Sequence, residues 1–168
     1  MIKPILFLSL FILFGCKKEN LELNITSAKR DGQDWIAEPN ASYGLHFGDS
    51  SMIISLSVPS DDGISKEAIG FYYVPLIVKQ FAVIDTVLND SNNILGLYVF
   101  LNSHGDVIQH QLWPSDEAEN SLVLESYDPV TGELVFSFNV LFETRLPEPF
   151  FNWKHSFTEG KICTVLRR

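Results

Sequence analysis

Four histidines are the side chains of this sequence best suited to acid–base or metal chemistry. They are His46, His104, His110 and His155. No two of them have the spacing of a helical metal site; His104 and His110 could approach across a predicted hairpin, although two unrelated surface histidines are the simpler interpretation. The sequence also lacks G-x-S-x-G, H-E-x-x-H, Walker and G-x-G-x-x-G motifs. We therefore predict a non-enzymatic protein with no catalytic residue and no cofactor, and a small hydrolase is the less favoured alternative.

The 21 acidic residues could supply a carboxylate pair or a calcium site. Glycoside hydrolysis requires two carboxyl groups on either side of the scissile bond, but the sequence singles out no such pair. Residues 61–63 and 85–93 offer the oxygen ligands that Ca²⁺ prefers. Neither segment has the alternating D-x-[DN]-x-[DN]-G pattern, so ordinary polar turns are favoured and we predict no metal site.

Aromatic residues are the more informative group, with 13 Phe, 5 Tyr and 3 Trp. The alternating Phe136, Phe138 and Phe142 are predicted core residues. The three tryptophans lie near predicted turns instead: Trp35, Trp113 and Trp153. Aromatic rings at strand ends can stack on a sugar or can close the core as lids. The lid interpretation is favoured, and these three residues are the tentative ligand contacts.

The first residues of the chain predict a signal peptide. Lys3 precedes an apolar run over residues 5–14, which is too short for a membrane span of roughly 20 residues. The run ends in Leu13-Phe14-Gly15-Cys16, which resembles the bacterial lipobox. The resemblance implies that the signal is removed, that Cys16 becomes the first residue and that acyl chains on Cys16 anchor it to a membrane. We therefore divide the chain into a signal peptide (1–15), a lipidated tether (16–22) and a folded domain (23–168).

The tether bears on the location of the protein. Lys17-Lys18-Glu19 resembles the short tag of lysines and acidic residues on Bacteroidota-type lipoproteins that are exported to the cell surface. A solvated tether without an export role is the alternative. We expect a lipid-anchored protein of the outer membrane that faces either the periplasm or the cell surface.

The charge balance excludes one class of partner. From Cys16 onward the chain has 11 basic and 21 acidic residues, a net charge near −10. Affinity for nucleic acid depends mainly on basic residues that contact phosphates, so we predict no nucleic-acid partner. With Cys16 assigned to lipid, Cys163 has no partner for an intramolecular disulfide, and its apolar neighbours predict a small buried side chain.

Short apolar runs between turn residues predict an all-β domain. Residues 134–142 have an apolar side chain at every second position, the period of a strand with one buried face. Residues 94–101 are apolar on both faces, which predicts a central strand. Turns at Asp31-Gly32, at His104-Gly105 and at residues 128–132 predict antiparallel hairpins. About ten strands indicate an antiparallel β-sandwich, with a closed β-barrel as the alternative.

Several segments together resemble a family of small Bacteroidota lipoproteins. Residues 25–35 (ITSAKRDGQDW) resemble the "A-x-x-D/N-G-x-x-W" opening of that family. Tyr127-Asp128, the Phe136-Ser137-Phe138 strand and Thr158-Glu159-Gly160-Lys161 resemble its C-terminal hairpin and end strand, although Ile162 replaces the usual Phe. The resemblance covers about half of the chain after Cys16 and implies a β-sandwich lipoprotein of uncharacterised function, with no catalytic residues to transfer.

Two binding hypotheses follow. In the first, a non-enzymatic envelope lipoprotein binds or scaffolds a glycan or a protein through loops displayed on a rigid scaffold. In the second, a barrel carries a lipid or other apolar ligand behind its Phe-rich strands. The carrier requires a continuous internal cavity, whereas the first hypothesis allows an interior filled by Phe and Leu side chains.

Overall fold

The computed structural model of the protein describes residues 23–44, 51–58, 64, 66–86, 92–101, 107–145 and 153–167. Cys16, His46, His104 and the loop at 61–63 lie outside these residues. Ten strands form within the described ranges: β1 (Ile25–Arg30), β2 (Gln33–Tyr43), β3 (Ser51–Val58), β4 (Glu67–Pro75), β5 (Gln80–Ile84), β6 (Asn93–Leu101), β7 (Ile108–Pro114), β8 (Ser121–Tyr127), β9 (Glu133–Glu143) and β10 (Lys154–Arg167).

The strands form one sheet that closes on itself. Pairing follows the order β1-β2-β3-β4-β6-β5-β8-β9-β10, and β10 pairs with β1 again to complete a ring of nine strands. Strand β7 is not one of these nine. It pairs with both β6 and β9, the two strands that β5 and β8 also connect. Closure leaves no long unpaired edge in the ring. The prediction of about ten strands in an all-β domain is confirmed, in the form of the closed barrel that was the alternative to a sandwich.

Alternation along each strand fills the interior. The inner face of β9 is fully or almost fully buried, as its pattern predicts: Leu134, Phe136, Phe138, Val140 and Phe142. Strand β6 is paired on both sides and is central, also as predicted. Aromatic rings pack against one another in the interior, with ring centroids 5.1 Å apart for Tyr98 and Phe157, and 5.9 Å apart for Phe142 and Phe157. The described part of the interior is therefore packed with side chains.

Two turns define the ends of the barrel. At the upper end, Asp31 and Gly32 both have positive φ (52° and 80°) and join β1 to β2 as the two-residue hairpin that the sequence predicts. The first residues of β10 lie beside this turn, since the backbone N–H of Asp31 donates to Ser156. At the lower end, the predicted turn over residues 128–132 joins β8 to β9, and Gly132 (φ 79°) accepts from the N–H of Leu166 near the end of β10.

Candidate functional site

A buried carboxylate lies next to Arg30, one of the residues that line a cleft at the upper end of the barrel. Glu67 begins β4 on its inner face and is 9% exposed. Its Oε2 accepts hydrogen bonds from Arg30 Nη1 (2.6 Å) and from the Tyr98 hydroxyl (2.7 Å). Its Oε1 accepts one from Trp35 Nε1 (2.7 Å). A buried charge is tolerated only when it is paired and hydrogen-bonded, and these three donors, from β1, β2 and β6, meet both requirements.

The surroundings of Glu67 determine the charge states of two of its donors, Arg30 and Tyr98. Burial disfavours the charge of Arg30, but the hydrogen bond to Tyr98 and the charge of Glu67 outweigh it and raise the pKa of Arg30. Burial and the hydrogen bond to Glu67 also raise the pKa of Tyr98 above its usual value. Tyr98 therefore remains a neutral donor and Arg30 a cation, and together they hold the carboxylate in place.

His155, which is oriented by the carboxylate of Asp31, lies next to Tyr98 at the same end of the barrel. The Nδ1 of His155 is 2.7 Å from Oδ2 of Asp31, and the other oxygen of Asp31 accepts from the N–H of Ser156 (2.8 Å). A carboxylate acceptor requires the proton on Nδ1, which makes Nε2 the acceptor nitrogen of the neutral ring. The ring also lies edge-on to Tyr98, with centroids 5.8 Å apart.

The Asp31 carboxylate should make stability depend on pH in the acid range. Burial tends to raise its pKa, but hydrogen bonds from His155 and Ser156 outweigh this and lower the pKa below the ordinary 3.8. A lowered pKa in the folded state stabilises the fold above the unfolded-state pKa, and the contribution is lost as the pH falls through the folded-state value. We expect the difference in unfolding free energy between wild type and Asp31→Asn to shrink as the pH falls below about 3.8. Denaturant unfolding of both proteins at a series of pH values measures it, and a difference that grows below that pH would contradict this assignment.

The cleft at this end of the barrel, here called the upper cleft, has aromatic and cationic walls. Its volume is about 440 Å³, and it is lined by Arg30, Phe100, Trp153, Lys154 and His155. The rings of Phe100 and Trp153 meet edge to face with centroids 5.7 Å apart. The Nζ of Lys154 lies 2.5 Å from Glu117 and 3.1 Å from Glu143, and these hydrogen bonds raise its pKa. Flat apolar rings next to polar groups are the usual composition of a ligand site.

A second cleft, here called the side cleft, lies on the other side of Trp153. It has a volume of about 340 Å³, and its walls include His110, Trp113 and Arg145. The guanidinium of Arg145 lies over the Trp113 ring, 5.2 Å from its centroid, and forms an ion pair with Asp85. The His110 ring lies 4.6 Å from the ring of Trp153. Because Trp153 lines the upper cleft and His110 lines the side cleft, this ring contact places the two clefts next to each other.

The structure separates the three tryptophans that the sequence singles out. Trp153 and Trp113 are half-buried and line the two clefts. Trp35 is 5% exposed, packs edge-on against Phe157 and donates to Glu67, so it belongs to the core. Cys163 is buried and unpaired, as predicted, and burial raises its pKa above the usual value of a thiol.

The sequence does not predict the groups around Glu67 and Asp31. Arg30 and Glu67 are separated by 37 residues, and Asp31 and Ser156 by 125. Glu67 stands on the inner face of β4, ahead of the buried Ile69 and Phe71. The one sequence signal for this site is that Glu67 alternates with the buried residues Ile69 and Phe71, because a carboxylate at a buried position needs a partner.

Three further observations concern cofactors, membranes and relatives. Within the described ranges, no group of three or more His, Cys, Asp and Glu side chains could hold a metal ion. No helix in the described part of the chain is long and apolar enough to cross a membrane. Comparison with protein families, with curated proteins and with solved structures finds no match to this chain.

Proposed function

We propose that this protein is a lipid-anchored, non-enzymatic envelope protein that binds a carbohydrate chain along the two clefts at its upper end. The observation that carries the proposal is the set of contacting rings Phe100, Trp153 and His110, with Trp113 in the wall of the same side cleft as His110. Aromatic rings offer flat apolar area at a low entropic cost, and they suit the apolar face of a sugar ring. The anchor in this proposal is Cys16, through its resemblance to a lipobox.

Polar groups beside the rings supply the second requirement of sugar binding. Arg30, Lys154 and His155 border the upper cleft, and Gln109, Gln111 and Arg145 border the side cleft. Sugar hydroxyls need donors and acceptors at fixed positions, and few well-placed polar groups among apolar ones provide specificity. Ion pairs to Glu117 and Glu143 restrain Lys154, and the hydrogen bond to Asp31 restrains His155, which lowers the entropic cost of binding.

The packed interior favours binding on the surface over an internal carrier. Phe71 and Phe138 contact each other (centroids 5.6 Å apart), and Tyr98 contacts Phe142 (5.7 Å). All four rings are 0–1% exposed. Rings that fill the space between opposite strands leave no room for an apolar ligand there, which argues against the carrier hypothesis in the described part of the barrel.

Trp153→Ala is expected to weaken carbohydrate binding at least about tenfold, or ~1.4 kcal/mol, because aromatic residues at the centre of a contact surface contribute most of its binding energy. Isothermal titration with soluble hexasaccharides of glucose, xylose, N-acetylglucosamine and galacturonate measures the effect. Ile36→Ala is the matched control, since Ile36 is 66% exposed on β2. Unchanged affinity in Trp153→Ala would refute the assignment of this surface, and no binding of any glycan by the wild type would refute the proposed function.

One observation favours a second candidate function, hydrolysis. The Asp31–His155 pair at the upper cleft has the arrangement of a general base held in one tautomer by a carboxylate. If the protein were a hydrolase, bound oligosaccharides would be shortened over time, and His155→Gln would abolish this shortening even at oligosaccharide concentrations that saturate the variant. Intact oligosaccharides after long incubation with the wild type would leave binding as the function.

A further inference from the structure

The lower end of the barrel presents a set of exposed apolar side chains. They are Leu23 (47% exposed), Ile25 (39%), Ile77 (52%), Val78 (59%) and Val130 (91%). A single exposed apolar residue is ordinary on a protein surface. Several at the same end, on three separate segments of the chain, indicate an interaction surface.

Val130 is held at the tip of its turn by hydrogen bonds. The Oδ1 of Asp128 accepts from the N–H of Val130 at 2.8 Å, and the N–H of Gly132 donates to the carbonyl of Asp128 at 2.8 Å. The carbonyl of Gly132 in turn accepts from Leu166 at 2.9 Å, which ties the turn to β10. Val130, the most exposed large apolar side chain in the described ranges, therefore projects from a turn that hydrogen bonds hold in place, and its neighbour Asp128 takes part in those bonds.

Ile77 and Val78 reach the same end on another segment. They lie between the end of β4 at Pro75 and the start of β5 at Gln80. The carbonyl of Lys79 accepts from the N–H of Leu124 on β8, which runs down to the turn that carries Val130. The Nζ of Lys79 donates to Asn92 and lies over the ring of Phe81, which holds the Lys79 side chain against the barrel.

The chain enters the barrel from this end. Asn24 donates to the carbonyl of Cys163, and β1 runs from Ile25 beside Cys163 up to Arg30 at the upper end. Cys16 precedes Leu23 by seven residues, which span at most about 25 Å when fully extended. Acyl chains on Cys16 would therefore keep the lower end of the barrel close to a bilayer.

We infer that the lower end is a membrane-facing surface: Val130, Ile77 and Val78 enter the head-group region of the bilayer that holds the acyl chains, and the two clefts point away from it. The inference rests on the lipid anchor at Cys16 that is part of the proposed function. It adds an orientation, because an acyl anchor on Cys16 does not by itself fix which side of the barrel faces the membrane. With the lower end seated, the upper cleft stands at the far side of the barrel, open to large carbohydrates.

Tryptophan fluorescence in vesicles of brominated phosphatidylcholine tests this orientation. The native residues Trp35, Trp113 and Trp153 belong to the upper half of the barrel, so bromine in the bilayer should leave their emission unchanged. In purified lipidated protein, Val130→Trp is expected to add emission that brominated lipid quenches and ordinary phosphatidylcholine does not. Val107→Trp is the matched control, because Val107 is 55% exposed and precedes β7 at the upper end.

The outcomes separate this inference from the proposal beneath it. Quenching of Val130→Trp but not of Val107→Trp supports the seated lower end. Equal quenching of both, or of neither, in protein whose intact mass shows acyl chains on Cys16 overturns the orientation and leaves the anchor in place. An intact mass without acyl chains removes the anchor and the orientation together, while the titration of hexasaccharides still decides carbohydrate binding.

Discussion

Glu67→Ala is expected to lower the free energy of unfolding by about 3–5 kcal/mol, the range for removal of one partner from a buried ion pair. Three donors lose their acceptor in this variant: Arg30 Nη1, the Tyr98 hydroxyl and Trp35 Nε1. The Trp35 indole is buried and the Arg30 guanidinium is only partly exposed, so water replaces the lost contacts poorly. Denaturant unfolding followed by circular dichroism measures the change.

Two further variants show which part of the effect belongs to charge. Glu67→Gln keeps an oxygen acceptor but removes the negative charge opposite Arg30. Its free energy of unfolding should therefore lie between that of the wild type and that of Glu67→Ala. Glu38→Ala is the matched control, because Glu38 is an exposed carboxylate on β2 and should change stability by less than about 0.5 kcal/mol. If Glu67→Ala lowers the free energy of unfolding by less than about 1 kcal/mol, the hydrogen bonds from Arg30, Tyr98 and Trp35 to Glu67 do not stabilise the fold as described.

Phe157→Ala is expected to cost about 3–5 kcal/mol of unfolding free energy, as large-to-small changes at fully buried aromatic residues do. The ring of Phe157 is 0% exposed and contacts those of Trp35, Tyr98 and Phe142 at centroid distances of 5.0–5.9 Å. It thus supports both Trp35 and Tyr98, the two aromatic donors to Glu67. Thermal and denaturant unfolding measure the loss.

Phe100→Ala is the informative comparison for Phe157→Ala. Phe100 is half-buried, lines the upper cleft and contacts Tyr98 and Trp153. We expect a smaller loss of stability than in Phe157→Ala and a larger relative loss of carbohydrate affinity. Equal stability losses in the two variants would mean that Phe100 is a core residue and that the upper cleft is a product of packing.

Strand content was accessible from sequence because the signals are local. The alternation over Leu134–Phe142 and the positive-φ pair Asp31-Gly32 each depend on neighbouring residues alone, and both predictions are confirmed. Barrel closure depends instead on β1, which pairs with both β2 and β10. The paired residues of β1 and β10 lie more than 120 positions apart in the sequence. No local pattern distinguishes such a closed ring from two packed sheets, and the sandwich was therefore favoured over the barrel.

The site was accessible only in part for the same reason. Their positions near turns made Trp35, Trp113 and Trp153 tentative ligand contacts, although lids on the core were favoured. Trp113 and Trp153 line clefts, whereas Trp35 alternates with Ala37 on the inner face of β2, the pattern of a core position. Glu67 and Tyr98 meet because β4 pairs with β6, and Arg30 reaches Glu67 because ring closure brings the end of β1 to the same end of the barrel. Their contacts are a product of the three-dimensional fold, which spacing in the sequence does not encode.

The most direct test of carbohydrate binding at the upper end uses the three tryptophan indole N–H signals in a ¹H–¹⁵N NMR spectrum, recorded during titration with the best-bound hexasaccharide. The signals of Trp113 and Trp153, in the two clefts, should shift with ligand concentration. The signal of Trp35, whose N–H is committed to Glu67 inside the barrel, should stay in place. Binding that leaves Trp113 and Trp153 unshifted, or that moves Trp35 most, would contradict the account and direct attention to another surface of the protein.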